Sequence, residues 1–216
     1  MKQSLRLFWF IFCLTATCTF SAHAGLVDTI SVYSPSMKKE IKSVIIRPDN
    51  YNSSKPIPVV YMLTGYSGNH ASWVKTYKNF HRYADTYNVL IVCVDPDYSS
   101  WYWDSPIDPN YQYETYVTKE LLPYIDQHYA TIKDRSARAL TGLSMGGHGA
   151  LYLSIRHQDL FSVAGSMSGG VDIRPFPNNW HMAKRLGPYH ENKEVWENHT
   201  VINLLHLIKP KSLQLI

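Results

Sequence analysis

The chain has 216 residues, 45% of them hydrophobic and 13% aromatic, with 21 Lys and Arg against 17 Asp and Glu. That length fits one domain, and the small positive balance gives no case for a nucleic-acid partner or an anionic membrane surface. No cluster of His, Cys, Asp or Glu stands at metal-ligand spacing, so neither a metal nor another cofactor is expected.

The chain opens with Lys2 and Arg6, an apolar run from residue 7 to 12 and just beyond, and Ala22-His23-Ala24. A basic start, a short apolar stretch and an A-x-A site make a secretory signal peptide. The run is short and interrupted by Thr15, Thr17 and Thr19, so stable membrane insertion is not expected. Residues 1–24 are therefore read as a signal peptide and residues 25–216 as an exported domain, periplasmic or extracellular. Cleavage near Ala24 removes Cys13 and Cys18. Cys93 is left alone in an apolar run, where it reads as a buried small hydrophobe.

Residues 26–33 and 41–47 are strand-like, the second rich in Val and Ile. A turn cluster follows at 48–54. Residues 58–63 are continuously apolar, as a strand buried on both faces requires. They end at Thr64-Gly65-Tyr66-Ser67-Gly68, a loop at a strand C-terminus, where α/β sheets place ligand-binding loops. Residues 80–87 are helical, and 89–94 form the next buried strand. Asp95 and Asp97 cap the turn after it, and an aromatic loop, Trp101-Tyr102-Trp103-Asp104, follows. Apolar residues near a 3.6 period predict a helix over 113–128, kinked at Pro123.

Residues 137–141 are a strand, 146–156 a helix, and Gly142-Leu143-Ser144-Met145-Gly146 joins them. Strand, G-x-S-x-G turn and helix in that order make a nucleophile elbow. A serine hydroxyl is a poor nucleophile at neutral pH. It needs exposure, a base and oxyanion donors, and the elbow supplies the first and the third. Residues 161–167 form another strand. Weakly helical segments follow near 191–197 and 201–207, and 212–216 opens one more strand. Strands alternating with helices predict an α/β fold with a mostly parallel, doubly wound sheet and an antiparallel start.

Residues 59–73, 142–150 and 161–169, in particular Gly142-Leu-Ser-Met-Gly-Gly-His-Gly-Ala150, resemble the putative-esterase family of α/β-hydrolases. That family includes esterase D, S-formylglutathione hydrolases, feruloyl and acetyl-xylan esterases and mycolyltransferases. The resemblance covers nearly the whole exported domain. It implies an α/β-hydrolase fold, Ser144 as nucleophile, and an oxyanion hole of the Met145 and Tyr66 backbone N–H groups. It also implies a small-molecule or polysaccharide ester as substrate. Export argues for carbohydrate esters over the cytosolic glutathione-ester branch. Trp101, Trp103 and His70 are candidate substrate contacts. The alternatives are a hydrophobic lid packed around Trp180 for the tryptophans, and loop packing for His70.

In this fold the triad acid and histidine follow Ser in chain order. The positions that would carry them are expected beyond residue 216, so the domain reads as incomplete at its C-terminus and without its last strands. His148, or Asp172 with His181, could replace them only by an unusual arrangement. His148 is better placed to pack or bond locally. The sequence therefore leaves three readings: an exported serine esterase, a carbohydrate-binding remnant without a triad, and an acyltransferase of the same fold. The oligomeric state is not legible.

Overall fold

The structure, a computed structural model, describes residues 27–216. The segment expected to be a signal peptide, with Cys13 and Cys18, lies outside the described residues. The aliphatic runs form β1 (Val27–Ser34), β2 (Lys39–Ile46), β3 (Val59–Leu63), β4 (Leu90–Val94), β5 (Arg138–Leu143), β6 (Val163–Met167) and β7 (Gln214–Leu215). They make one sheet in the order β1-β2-β4-β3-β5-β6-β7. β1 and β2 pair antiparallel, as do β2 and β4, and every later pairing is parallel. The fold is that of an α/β-hydrolase, as expected. β1 is an edge strand and alternates between solvent and core. All five residues of β4 are buried, which is why its sequence is an unbroken apolar run.

The helix over 113–128 packs with the elbow helix (Met145–Arg156) on one face of the sheet. Tyr61, Leu63, Val92, Leu140, Val117 and Leu153 meet in the core there. The opposite face, around Val44, Met62, Ile91 and Cys93, is covered by Trp73, Phe80 and Ala84. Trp73 and Ala84 belong to short helices, Ser72–Thr76 and His81–Tyr87, and Phe80 immediately precedes the second. Cys93 is fully buried, and burial pushes its thiol up to about 12, so it stays protonated. Among the described residues no helix is long and apolar enough to cross a membrane.

The helix over 113–128 departs from the simple kink expected at Pro123. It widens to π geometry over Tyr116–Leu121 and returns to α at Leu122–His128. Pro123 has no N–H to donate, and its ring would press on the carbonyl four residues back. A wide turn just before it relieves both problems. Asp126, near the end of this helix, forms a mostly buried ion pair with Arg138, the first residue of β5, and also accepts from Thr131 Oγ1 at 2.6 Å. The pair ties the helix layer to the strand that carries the elbow. Removing one member of a buried pair leaves the other charge uncompensated, at a cost of about 3–5 kcal/mol. Asp126→Ala is thus expected to lower stability by about that amount in urea unfolding. Asp126→Leu combined with Arg138→Met should recover most of it.

Candidate active site

β3, β4, β5 and β6 all end on the same edge of the sheet, so the loops after them converge there. Ser144 stands between β5 and the elbow helix at φ 56° and ψ −116°, a backbone region that costs a non-glycine residue about 1–3 kcal/mol. Neighbouring backbone holds it there. The Ser144 N–H donates to the Met167 carbonyl at 2.8 Å, and the His148 N–H donates to the Ser144 carbonyl at 2.9 Å. The turn closes only because its flanks lack side chains. A Cβ on Gly142 would lie 2.4 Å from the Gly146 carbonyl group, and one on Gly146 would lie 2.2 Å from the Leu63 carbonyl oxygen.

The Ser144 side chain is exposed and borders a cavity of about 270 Å³. Tyr66, Trp101, Ile173, Phe176 and Trp180 supply much of the wall. A second, more polar cavity of about 480 Å³ lies on the other side of Tyr66 and Trp180. Asn178, Asn179, His181 and Lys184 line it. His181 Nδ1 is 3.4 Å from the Tyr66 hydroxyl, and its pKa is lowered by desolvation and by the nearby Lys184 and Arg185 charges. Around this mouth three pairs of consecutive non-glycine residues share left-handed backbone: Asp97 and Tyr98, Trp101 and Tyr102, Trp180 and His181. Strain of this kind gathers where a site must be held in one shape.

The two expected oxyanion donors lie in the loops that follow β3 and β5. Met145 opens the elbow helix, so its N–H has no carbonyl four residues back to bond. The Tyr66 loop presses on the elbow: a Cβ on Gly65 would lie 3.3 Å from the Leu143 carbonyl oxygen and 3.5 Å from Ser144 Cβ. The Tyr66 N–H donates to no acceptor among the described residues, whereas Ser67 and Gly68 donate to the Tyr98 and Gly65 carbonyls.

The expected substrate contacts divide. Trp101 lines the Ser144 cavity and donates its Nε1–H to the Trp180 carbonyl at 3.1 Å. It is therefore both wall and strap, and the two readings of the aromatic loop meet in it. Trp103 cannot touch a ligand in this arrangement: it is fully buried and stacks behind Trp101 at 5.2 Å. His70 lies outside the cavity wall. Its Nδ1 sits 2.6 Å from Asp95 Oδ2, and its backbone N–H donates to the same oxygen at 3.1 Å. That is loop packing. The Asp97 N–H donates to Asp95 Oδ1, so the turn is capped as expected.

No histidine among the described residues hydrogen-bonds Ser144. His148 is buried with both ring nitrogens occupied, and His181 leans on Tyr66. Asp172 borders the cavity, but Arg174 binds both of its carboxylate oxygens at 2.8 Å, so Asp172 and His181 form no pair. Among the described residues no group of three or more His, Cys, Asp or Glu is placed to hold a metal.

Sequence reasoning missed Phe176, Ile173 and the polar second cavity, because nothing in a Pro- and Asn-rich stretch signals which way a loop folds back. It also missed Glu114. This carboxylate is buried on the flank of the molecule, beside a cavity of about 670 Å³. Burial would raise its pKa, but hydrogen bonds from His157 and Arg156 prevail and lower it to about 2.

The strained serine and its elbow lie inside a stretch that a known protein family matches. The family described as putative esterase matches residues 34–212. The chain belongs to this family. It is similar to Esterase Rv1288 of Mycobacterium tuberculosis, with 28% identity over 134 residues. That match takes in 60% of this chain and 29% of the relative, so it spans under a third of the relative's length. An S-formylglutathione hydrolase from Agrobacterium tumefaciens superposes with a TM-score of 0.72 at 25% identity, over 85% of this chain and 72% of that one. A ferulic acid esterase superposes with a TM-score of 0.70 at 25% identity, over 88% and 74% of the two chains.

Burial of His148 also sets a pH dependence for this esterase-family domain. Burial pushes its pKa down to about 4 from 6.5, against the bond to the Gly170 carbonyl, which raises it. Between those values the unfolded chain takes up a proton that the folded chain refuses. Stability is therefore expected to fall as pH drops from 6.5 to 4, with His199 acting in the same direction. Thermal unfolding measured across this window should show the decline, and His148→Phe should show a shallower one.

Proposed function

We propose that the protein is an exported serine esterase that hydrolyses carboxylic esters of carbohydrates through an acyl-enzyme on Ser144. The observation that carries this reading is the strained, exposed Ser144 opening onto an aromatic cavity, with the Met145 and Tyr66 N–H groups beside it. In the reaction Ser144 Oγ attacks the ester carbonyl, and the two N–H groups hold the oxyanion. The alcohol leaves with a proton, and water then releases the acid and regenerates the hydroxyl. One oxyanion donor typically contributes about 3–4 kcal/mol to such a step. The aromatic cavity suits a planar acyl group, and the polar cavity beyond Tyr66 and Trp180 suits a hydroxyl-rich alcohol. The similar ferulic acid esterase supports an aromatic acyl group. Export is supported by the basic start, the apolar run and Ala22-His23-Ala24.

None of the described histidines serves Ser144 as base. The proposal therefore assigns to the described residues the nucleophile, the oxyanion donors and the binding cavities. The same observation favours a second reading, ligand binding without turnover. Release of p-nitrophenol from p-nitrophenyl ferulate separates the two. The wild-type protein is expected to release it, and Ser144→Ala to lose the activity by about a thousandfold or more. Equal, background-level release by both would sink the esterase reading. Ferulate binding unaffected by Ser144→Ala would then support the second. For export, Edman sequencing of secreted protein is expected to begin at Gly25, and retention of Met1 would overturn that part.

A further inference from the structure

We propose that His148 is a positioning residue that sets the aromatic wall of the Ser144 cavity by joining three separate segments through its imidazole. The proposal deepens the esterase reading and rests on the Ser144 cavity being the acyl site. His148 lies four residues after Ser144 on the elbow helix and is fully buried. Its Nδ1 is 2.7 Å from the Gly170 carbonyl oxygen, and its Nε2 is 2.9 Å from Trp103 Nε1. A carbonyl oxygen only accepts and an indole N–H only donates. The two contacts therefore require one state of the ring: neutral, with the proton on Nδ1.

Each partner leads to the cavity. Gly170 lies in its wall, in the segment after β6. Trp103 stacks on Trp101, which lines the cavity and donates to the Trp180 carbonyl. The imidazole also meets both indoles edge-on, with centroids 5.2 Å away, and stacks on Tyr152 at 5.8 Å. Thus the helix that carries the nucleophile holds both loops that shape the pocket, and one side chain makes the join. An apolar side chain of similar size could fill the same space. It could neither donate to Gly170 nor accept from Trp103, and would leave the buried Trp103 N–H and the partly buried Gly170 carbonyl without this partner. The low pKa of His148 fits this role, because the doubly protonated ring would lose the Trp103 bond.

The amide of asparagine can replace the Nδ1 donor and that of glutamine the Nε2 acceptor. His148→Asn keeps the Gly170 bond, His148→Gln keeps the Trp103 bond, and His148→Phe keeps neither. The readout is the ratio of kcat/KM for p-nitrophenyl ferulate to that for p-nitrophenyl acetate, with kcat and KM resolved. The ratio is expected to fall about tenfold in His148→Phe, through KM, and less in the two single-bond variants; tenfold corresponds to about one hydrogen bond. An unchanged ratio, or equal loss on both esters in all three variants, overturns the proposal.

If the wild-type protein hydrolyses neither ester, the esterase reading fails, and ferulate binding measured by tryptophan quenching decides the present one. About tenfold weaker binding by His148→Phe supports it; equal binding, or none by the wild type, overturns it. If the variants do not fold, 15N NMR of the wild-type imidazole decides. A neutral Nδ1–H ring at pH 6 supports the proposal, and the Nε2–H form or a charged ring overturns it.

Discussion

The architecture of this domain depends on one close approach of backbone to backbone. Gly146, at the start of the elbow helix, sits against the Leu63 carbonyl at the end of β3, and Gly142 sits against Gly146 itself. There is no room for a Cβ at either place. Because β3 and β5 pair in parallel with Leu63 opposite Gly142, the approach fixes the turn relative to the neighbouring strand. Ser144 is the residue left at the apex. Its left-handed backbone is a consequence of that closure, and the Met167 carbonyl secures it from β6.

From that point the site is assembled by loops that have no regular structure of their own. The Tyr66 loop leans on the elbow, the aromatic loop after β4 supplies Trp101, and the long segment after β6 folds back to supply Ile173, Phe176 and Trp180. Irregular loops keep one shape only if something over-determines them. Here the Trp101 to Trp180 hydrogen bond joins two of them to each other, and His148 joins both to the elbow helix. The strained backbone pairs at 97–98, 101–102 and 180–181 lie along the same mouth. The cavity is shaped by this set of ties, and its composition places an apolar pocket and a polar one on either side of Tyr66 and Trp180.

Much of the fold was legible in the sequence, for a local reason. The buried strands β3 and β4 are unbroken apolar runs, and the elbow is encoded within nine residues. The legible parts of the candidate site, Ser144, Met145 and the Tyr66 loop, are those whose place follows from backbone position at a strand end. The tryptophans were harder. Trp101 and Trp103 are two residues apart and chemically identical, yet one meets the cavity and the other is its backing, because the loop turns between them. His70 sits beside the Tyr66 loop in sequence, and its ring pairs with Asp95. The π widening before Pro123 is visible only once the helix is built, since sequence shows the missing N–H but not how the backbone absorbs it.

The amino-acid sequence by itself determined the elbow and hence the place of Ser144 at its apex, because glycines at fixed spacing are what a turn without room for side chains demands. It also determined the alternation of strands and helices, because burial on two faces or one leaves a period in the chain. Tertiary structure alone decided what surrounds Ser144. Asp172 is claimed by Arg174, and His148 faces Trp103 and Gly170 rather than the serine. Those choices arise from contacts between segments far apart in the chain. A hydrogen bond between such segments depends on where the fold brings each group, which local spacing does not record.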